Sequence, residues 1–296
     1  MTPIPKTETP SELHRTLDQY PADELVKAFA ADQLEAVHAV QAAAAEIAAA
    51  VTAAVPRLQQ GGRLVYVGAG TSGRLGLLDS VELYPTFSWP RDRSLALLAG
   101  GPHAVYRAIE GAEDDAAQGA EDIRLNDVSI NDVVILLAAS GATPYVLGAL
   151  DAARAAGALT IGIANNADAP VAQRAAIGIT LDTGAELISG STRLKAGTAQ
   201  KITLNTLSSS IMVRLNKVYG NLMVDLKPTN AKLVRRALRL TMLATGADEA
   251  AARKTLEACE FQVKTAIVAI LASVDVAEAA SRLAAAHGSV RGAIAR

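Results

Sequence analysis

RLVYVGAGTSGR, residues 63–74, reads as a buried strand that runs through a glycine loop into a helix. Its apolar half is continuous rather than alternating, so both faces are buried, as in a parallel sheet. Outward from it, four runs share that character: 94–98, 133–138, 159–163 and 177–180, each short and rich in Val, Ile or Leu. Between them lie segments of helical character, among them 144–156 and 170–176. Each of those two opens on a proline, which a helix tolerates in its first turn. This strand–helix alternation predicts an α/β fold, a doubly wound parallel-sheet sandwich. Residues 193–218 and 229–244 read as two further helices.

The flanks differ. Residues 1–22, with several Pro and Thr and little periodicity, are expected to form an extended arm. Residues 23–60 carry Leu25, Val26, Phe29, Leu34 and Val37 at helical spacing, then an alanine-rich stretch of high helix propensity. They predict one or two helices, ended by Gly61 and Gly62. From Gly246 onward no strand candidate remains, and two or three short helices are expected, broken near Ser273 and Val274 and at Gly288. The organisation expected is therefore an arm (1–22), a sheet domain (23–245) and a small all-helical domain (246–296).

Composition sets limits on function. The chain has 296 residues, is 50% hydrophobic and 20% charged, and carries a net charge of −2. That is ample material for a core, and nothing in the charge balance favours nucleic acid or an anionic membrane surface. Cys259 is the one cysteine, so neither an intrachain disulfide nor a cysteine-rich zinc site can form. No apolar run reaches the ~18 residues of a membrane span, and the first ten residues are polar. A cytoplasmic location without membrane or nucleic-acid partners is expected. The four histidines, His14, His38, His103 and His287, show no metal-ligand spacing, so no metal is expected.

Gly68, Gly70 and Gly73 satisfy the formal spacing of a dinucleotide loop. The acidic residue that should hold the ribose, ~20 residues on at the end of the next strand, is missing. That strand runs Leu95-Ala96-Leu97-Leu98 into Ala99-Gly100-Gly101, and Asp92 precedes it. The loop instead offers Gly70, Thr71 and Ser72 at a helix start, where free N–H groups and the positive dipole end suit a single phosphate. Plain helix capping is the other reading of those hydroxyls. A second loop, Ser140-Gly141-Ala142-Thr143-Pro144, repeats the arrangement after another strand, and a third cluster, 189–193 with Ser191, opens the helix that follows. Three hydroxyl-rich helix starts exceed what capping supplies. They point to a phosphosugar or similar phosphate ester, with Gly70, Thr71, Ser72, Ser140, Thr143 and Ser191 as candidate binding residues. Ser72 and Ser140 have no His or Lys base at motif spacing, which argues against a serine hydrolase.

The same segments resemble a known family. GAGTSGRLG at 68–76, EGAEDD at 110–115, SGATPYV at 140–146, GSTRLKAGTAQK at 190–201 and KVYGNLMVD at 217–225 are similar to the N-acetylmuramic acid 6-phosphate etherases. These are sugar isomerase (SIS) domain lyases, themselves similar to a regulatory protein of glucokinase. The likeness is specific over residues from about 61 to about 233. It implies a SIS-type sheet sandwich and the removal of D-lactate from the muramic sugar phosphate, in the service of cell-wall recycling. No cofactor is implied. Two family carboxylates fall on Glu82 and Glu113. There are departures: Ala142 stands where the family usually has Arg, Leu83-Tyr84 where it often has Cys-Pro, and Thr7-Glu8 continues as TPSEL.

The ether at C3 lies β to the aldehyde of the open-chain sugar, so the chemistry needs a base at C2 and an acid for the departing lactate oxygen. The resemblance implies Glu113 as base and Glu82 as acid. A non-catalytic sugar-phosphate sensor and a phosphosugar isomerase are the alternatives on the same fold. If the helix after the glycine loop is unbroken, Glu82 lies ~15 Å beyond Ser72, longer than a hexose phosphate. Either that helix breaks early, or a homodimer shares residues between sites.

Overall fold

The computed structural model describes residues 5–226, 228 and 230–295. Three helices precede the sheet: α1 (Ala22–Asp32), α2 (Leu34–Ala42) and α3 (Ala44–Gln59). The sheet holds β1 (Leu64–Gly68), β2 (Ser94–Leu98), β3 (Val133–Leu137), β4 (Leu159–Ala164) and β5 (Ile177–Thr180). Its connecting helices are α4 (Gly70–Phe87), α5 (Ala116–Leu125), α6 (Pro144–Ala155) and α7 (Pro170–Arg174). Beyond it come α8 (Lys195–Arg214), a hairpin of β6 (Val218–Tyr219) and β7 (Leu222–Met223), and α9 (Ala231–Thr245). The last helices are α10 (Glu249–Ala258), α11 (Val263–Ala272), α12 (Val276–Ala285) and α13 (Val290–Ile294).

All five sheet strands are parallel, in the order β2-β1-β3-β4-β5. Every residue of β1, β3 and β4 is buried, which is why their sequences are apolar on both faces. The chain runs from β1 outward to β2 and then returns across β1 to β3. The order therefore reverses between β1 and β3, the place where open α/β sheets bind ligands at the carboxyl ends of their strands. Gly68 and Leu137 are register partners there, so the loops after β1 and β3 start side by side. At the opposite edge, Arg63 and the buried Asp132 clamp β1 to β3. The guanidinium Nη2 lies 2.8 Å from Asp132 Oδ2, and the Arg63 N–H donates to Oδ1 at 2.8 Å.

Several expectations needed revision. Residues 23–60 form three helices rather than one or two, divided at Gln33 and Ala43. The described part of the arm is not extended but folds into 3₁₀ turns at Lys6–Glu8, Glu12–His14 and Leu17–Gln19; residues 1–4 of that expectation lie outside the described residues. Among the described residues, the C-terminal region has four helices. Breaks fall at Ser273 and Gly288, and a further one at Glu260 and Phe261, both at positive φ.

Packing divides the chain into two units. One comprises the residues up to Ser80 together with Asp92–Ser208, and holds the sheet; the other comprises Val81–Arg91 and the residues from Ser209. Gly246, where the sequence reading sets its boundary, is the left-handed C-cap of α9. Among the described residues no single helix is long and apolar enough to cross a membrane.

Candidate active site

The loop after β1 is built by close approach. A Cβ on Gly73 would lie 2.2 Å from Leu98 Cδ1 and 2.6 Å from the Gly68 carbonyl oxygen, so α4 can start against β1 only where both residues lack a side chain. Gly70 opens α4 at a φ of +52°. Thr71 and Ser72 fall in the first turn, where N–H groups have no intrahelical acceptor. Thr71 is half-buried and Ser72 buried. Arg74 donates from Nε to the carbonyls of Ala104 and Val105 at 3.0 and 3.2 Å, holding the segment after β2 against α4.

In the loop after β3, the Ser140 hydroxyl accepts the Ala142 N–H at 3.3 Å and Gly141 has a φ of +75°. Thr143 is the N-cap of α6, yet its hydroxyl makes no capping bond, so capping does not account for it. The Ala142 methyl is exposed, leaving room for the longer side chain usual there.

The third cluster differs from the other two. Ser191 is half-buried in the turn before α8, its N–H donating to the Ile188 carbonyl at 3.0 Å. The α8 N-terminus is already occupied: the Glu186 carboxylate, wholly buried, accepts the N–H groups of Lys195 at 3.2 Å and Ala196 at 3.0 Å. Burial pushes the Glu186 carboxyl up, and those two bonds work against the rise. Lys195 is also buried, and its Nζ lies 2.7 Å from Asp32 Oδ1. The α8 start is nevertheless close to the first loop, since a Cβ on Gly197 would lie 3.5 Å from Thr71 Cγ2.

Sequence reasoning missed Asn165 and Asn166, which directly follow β4. Asn165 donates to the carbonyls of Leu181 and Ala196, both at 3.3 Å. Asn166 donates at 3.0 Å to the Ala139 carbonyl, next to Ser140. A pair of amides at the carboxyl end of an apolar strand was the available signal. The structure thus gathers the loops bearing Thr71, Ser140 and Ser191 at one edge of the sheet. Among the described residues no three His, Cys, Asp or Glu side chains come together as a metal site.

The two carboxylates stand on different elements. Glu113 is exposed on the 3₁₀ turn Ala112–Asp114, entered through Gly111 at a φ of +74°. Asp115, which caps α5 through the Gln118 N–H at 2.8 Å, fixes the turn's far side, and Ala112 packs on the core around Val67, Leu136 and Tyr145. Glu82 is exposed on α4, and that helix runs unbroken from Gly70 to Phe87.

Comparison with known proteins agrees with this architecture. A model of the glucokinase regulatory protein N-terminal SIS domain matches residues 46–154, and a SIS domain model matches residues 115–210. An N-acetylmuramic acid 6-phosphate etherase of Deinococcus radiodurans is 57% identical over 98% of this chain and 95% of its own. Etherases of Serratia proteamaculans and Pectobacterium atrosepticum are each 47% identical, over 98% and 99% of this chain and 98% and 96% of theirs. With 47–57% identity to these etherases over 98–99% of its length, the chain belongs to the N-acetylmuramic acid 6-phosphate etherase family.

Proposed function

We propose that this protein cleaves the C3 lactyl ether of N-acetylmuramic acid 6-phosphate, giving N-acetylglucosamine 6-phosphate and D-lactate. The observation that carries it is the 57% identity to an etherase over 98% of the chain. The two hydroxyl-bearing loops at the sheet's switch point support it as a seat for the sugar phosphate. Gly70, Thr71, Ser72, Ser140, Thr143 and Ser191 are the residues that would line that seat.

In the reaction the sugar opens to its aldehyde, which acidifies the C2 proton. Glu113 takes that proton, and Glu82 protonates the lactate oxygen as the C3–O bond breaks. Water then adds at C3 of the unsaturated aldehyde with the roles reversed, the base returning a proton to C2. One water is consumed, one lactate leaves, and the charge on each carboxyl group is restored.

The working form is a homodimer with shared sites. Leu78 and Val81 are 44% and 58% exposed on the stretch of α4 that carries Glu82, an apolar surface suited to a second copy. α1 buries none of its residues, and its Val26 is 69% exposed. The setting is cytoplasmic, with the phosphosugar as the small-molecule partner.

The test is lactate release by the purified protein from N-acetylmuramic acid 6-phosphate, with Glu82→Gln and Glu113→Gln alongside. Wild type is expected to release lactate, and each variant to be slower by about 100- to 10,000-fold, the usual weight of one acid–base group. No lactate from wild type, with tight binding of N-acetylglucosamine 6-phosphate, would identify a sensor instead.

A further inference from the structure

Thr7 is wholly buried although its neighbours Lys6 and Glu8 are exposed. Its backbone and hydroxyl are all engaged. The N–H donates to Asn166 Oδ1 at 3.3 Å, and the hydroxyl oxygen accepts from Asn166 Nδ2 at 3.0 Å. The carbonyl accepts the Gly190 N–H at 3.1 Å. These bonds end at the edges of two candidate ligand loops. Asn166 Nδ2 also donates to Ala139, the residue before Ser140, and Gly190 is the residue before Ser191. A second tie runs from the Ser189 hydroxyl to the Glu8 carbonyl at 2.9 Å. Gly190 itself has a φ of +78°, and a Cβ there would lie 3.0 Å from Glu8 Oε2.

The geometry points to Thr7 and Asn166 as positioning residues: together they set the spacing between the Ser140 and Ser191 loops, and with it the affinity for a phosphosugar. An arm that served only to cover the sheet would end on core side chains. This one ends on the backbone of Gly190 and on Asn166, whose amide reaches the Ala139 carbonyl beside Ser140. Thr7 touches no reacting atom; it acts through the loops. The inference rests on the phosphosugar reading given above.

The experiment compares wild type, Thr7→Val and Thr7→Ser. Three quantities are measured: KM and kcat for lactate release, the Kd of N-acetylglucosamine 6-phosphate by calorimetry, and Tm. Thr7→Val keeps the volume but removes the acceptor from a buried amide. It is expected to raise KM and Kd about tenfold with kcat changed less than twofold, and Thr7→Ser is expected to restore both. Should Thr7→Val fail to fold, Ser189→Ala, which cuts only the exposed tie, is expected to raise Kd about twofold to threefold. A lowered Tm with wild-type KM and Kd in the folded variants would overturn the proposal and leave the arm a purely structural brace. If wild type binds the sugar phosphate but releases no lactate, the etherase reading fails while the Kd comparison still decides this one. If wild type binds neither sugar phosphate, both fall.

Discussion

A methyl group on Gly141 would meet Ala169 Cβ at 2.3 Å and Ala164 Cβ at 3.1 Å, on a backbone at a φ of +75°. Neither alanine can turn aside, because each contact is through its only side-chain carbon, and both residues are buried. Gly141→Ala is therefore expected to cost about 2–3 kcal/mol, from left-handed strain and overpacking together. It should also displace the Ser140 hydroxyl, whose acceptor geometry depends on the turn. Denaturant unfolding and the Kd for N-acetylglucosamine 6-phosphate measure the two effects. A variant with wild-type stability would mean that the loop has slack the packing does not suggest. The neighbouring Ala142 is exposed, so its difference from the family's usual Arg imposes no such packing constraint.

The paired strands β1 and β3 share one acidic anchor. Burial alone would raise the Asp132 carboxyl, but hydrogen bonds from the Arg63 side chain and from the backbone of Ser129 and Arg63 hold it below the usual carboxylate range. A carboxyl depressed in the folded state adds stability that is present above its unfolded pKa, about 3.9, and lost as pH falls through the lower folded value. Asp132→Asn is expected to cost about 2–3 kcal/mol at neutral pH, and its deficit should shrink below about pH 4. A deficit independent of pH from 3 to 7 would assign the cost to packing rather than charge. Such strands were legible in the sequence because burial on both faces leaves an unbroken apolar run, and β2 and β5 match the expected bounds. Helix breaks were less so. The many alanines of 23–60 favour helix without a local stop at Gln33 or Ala43, so the divisions there depend on what the helices pack against. The break at Glu260 and Phe261 carries no glycine to mark it. The hydroxyl loops were visible as local motifs, whereas Thr7 with Asn166 was not, its partner being 159 residues away. Glu186 sits nine residues before Lys195 and reads as a loop acid until the fold closes it over the α8 terminus.

The homodimer with shared sites proposed above makes its own prediction at the scale of the whole molecule. If Glu82 of one subunit serves the site holding Glu113 of the other, dissociating and remixing equal amounts of the Glu82→Gln and Glu113→Gln proteins should rebuild about a quarter of wild-type lactate release, since half the dimers are mixed and each has one intact site. Sedimentation of the mixture verifies the exchange, and exchanged but inactive dimers would place both glutamates in a single subunit's site. The Thr7 tether also has a consequence during synthesis. Thr7 is made some 180 residues before Gly190, its last partner in chain order. At about 5–20 residues per second, the arm waits roughly ten to forty seconds on the translating ribosome with its docking place unmade. On the tether proposed above, the Ser140 and Ser191 loops reach their final spacing only once that early segment is recaptured, so whatever occupies it in the interval, a chaperone or a fused tag, delays maturation of the proposed site without touching it.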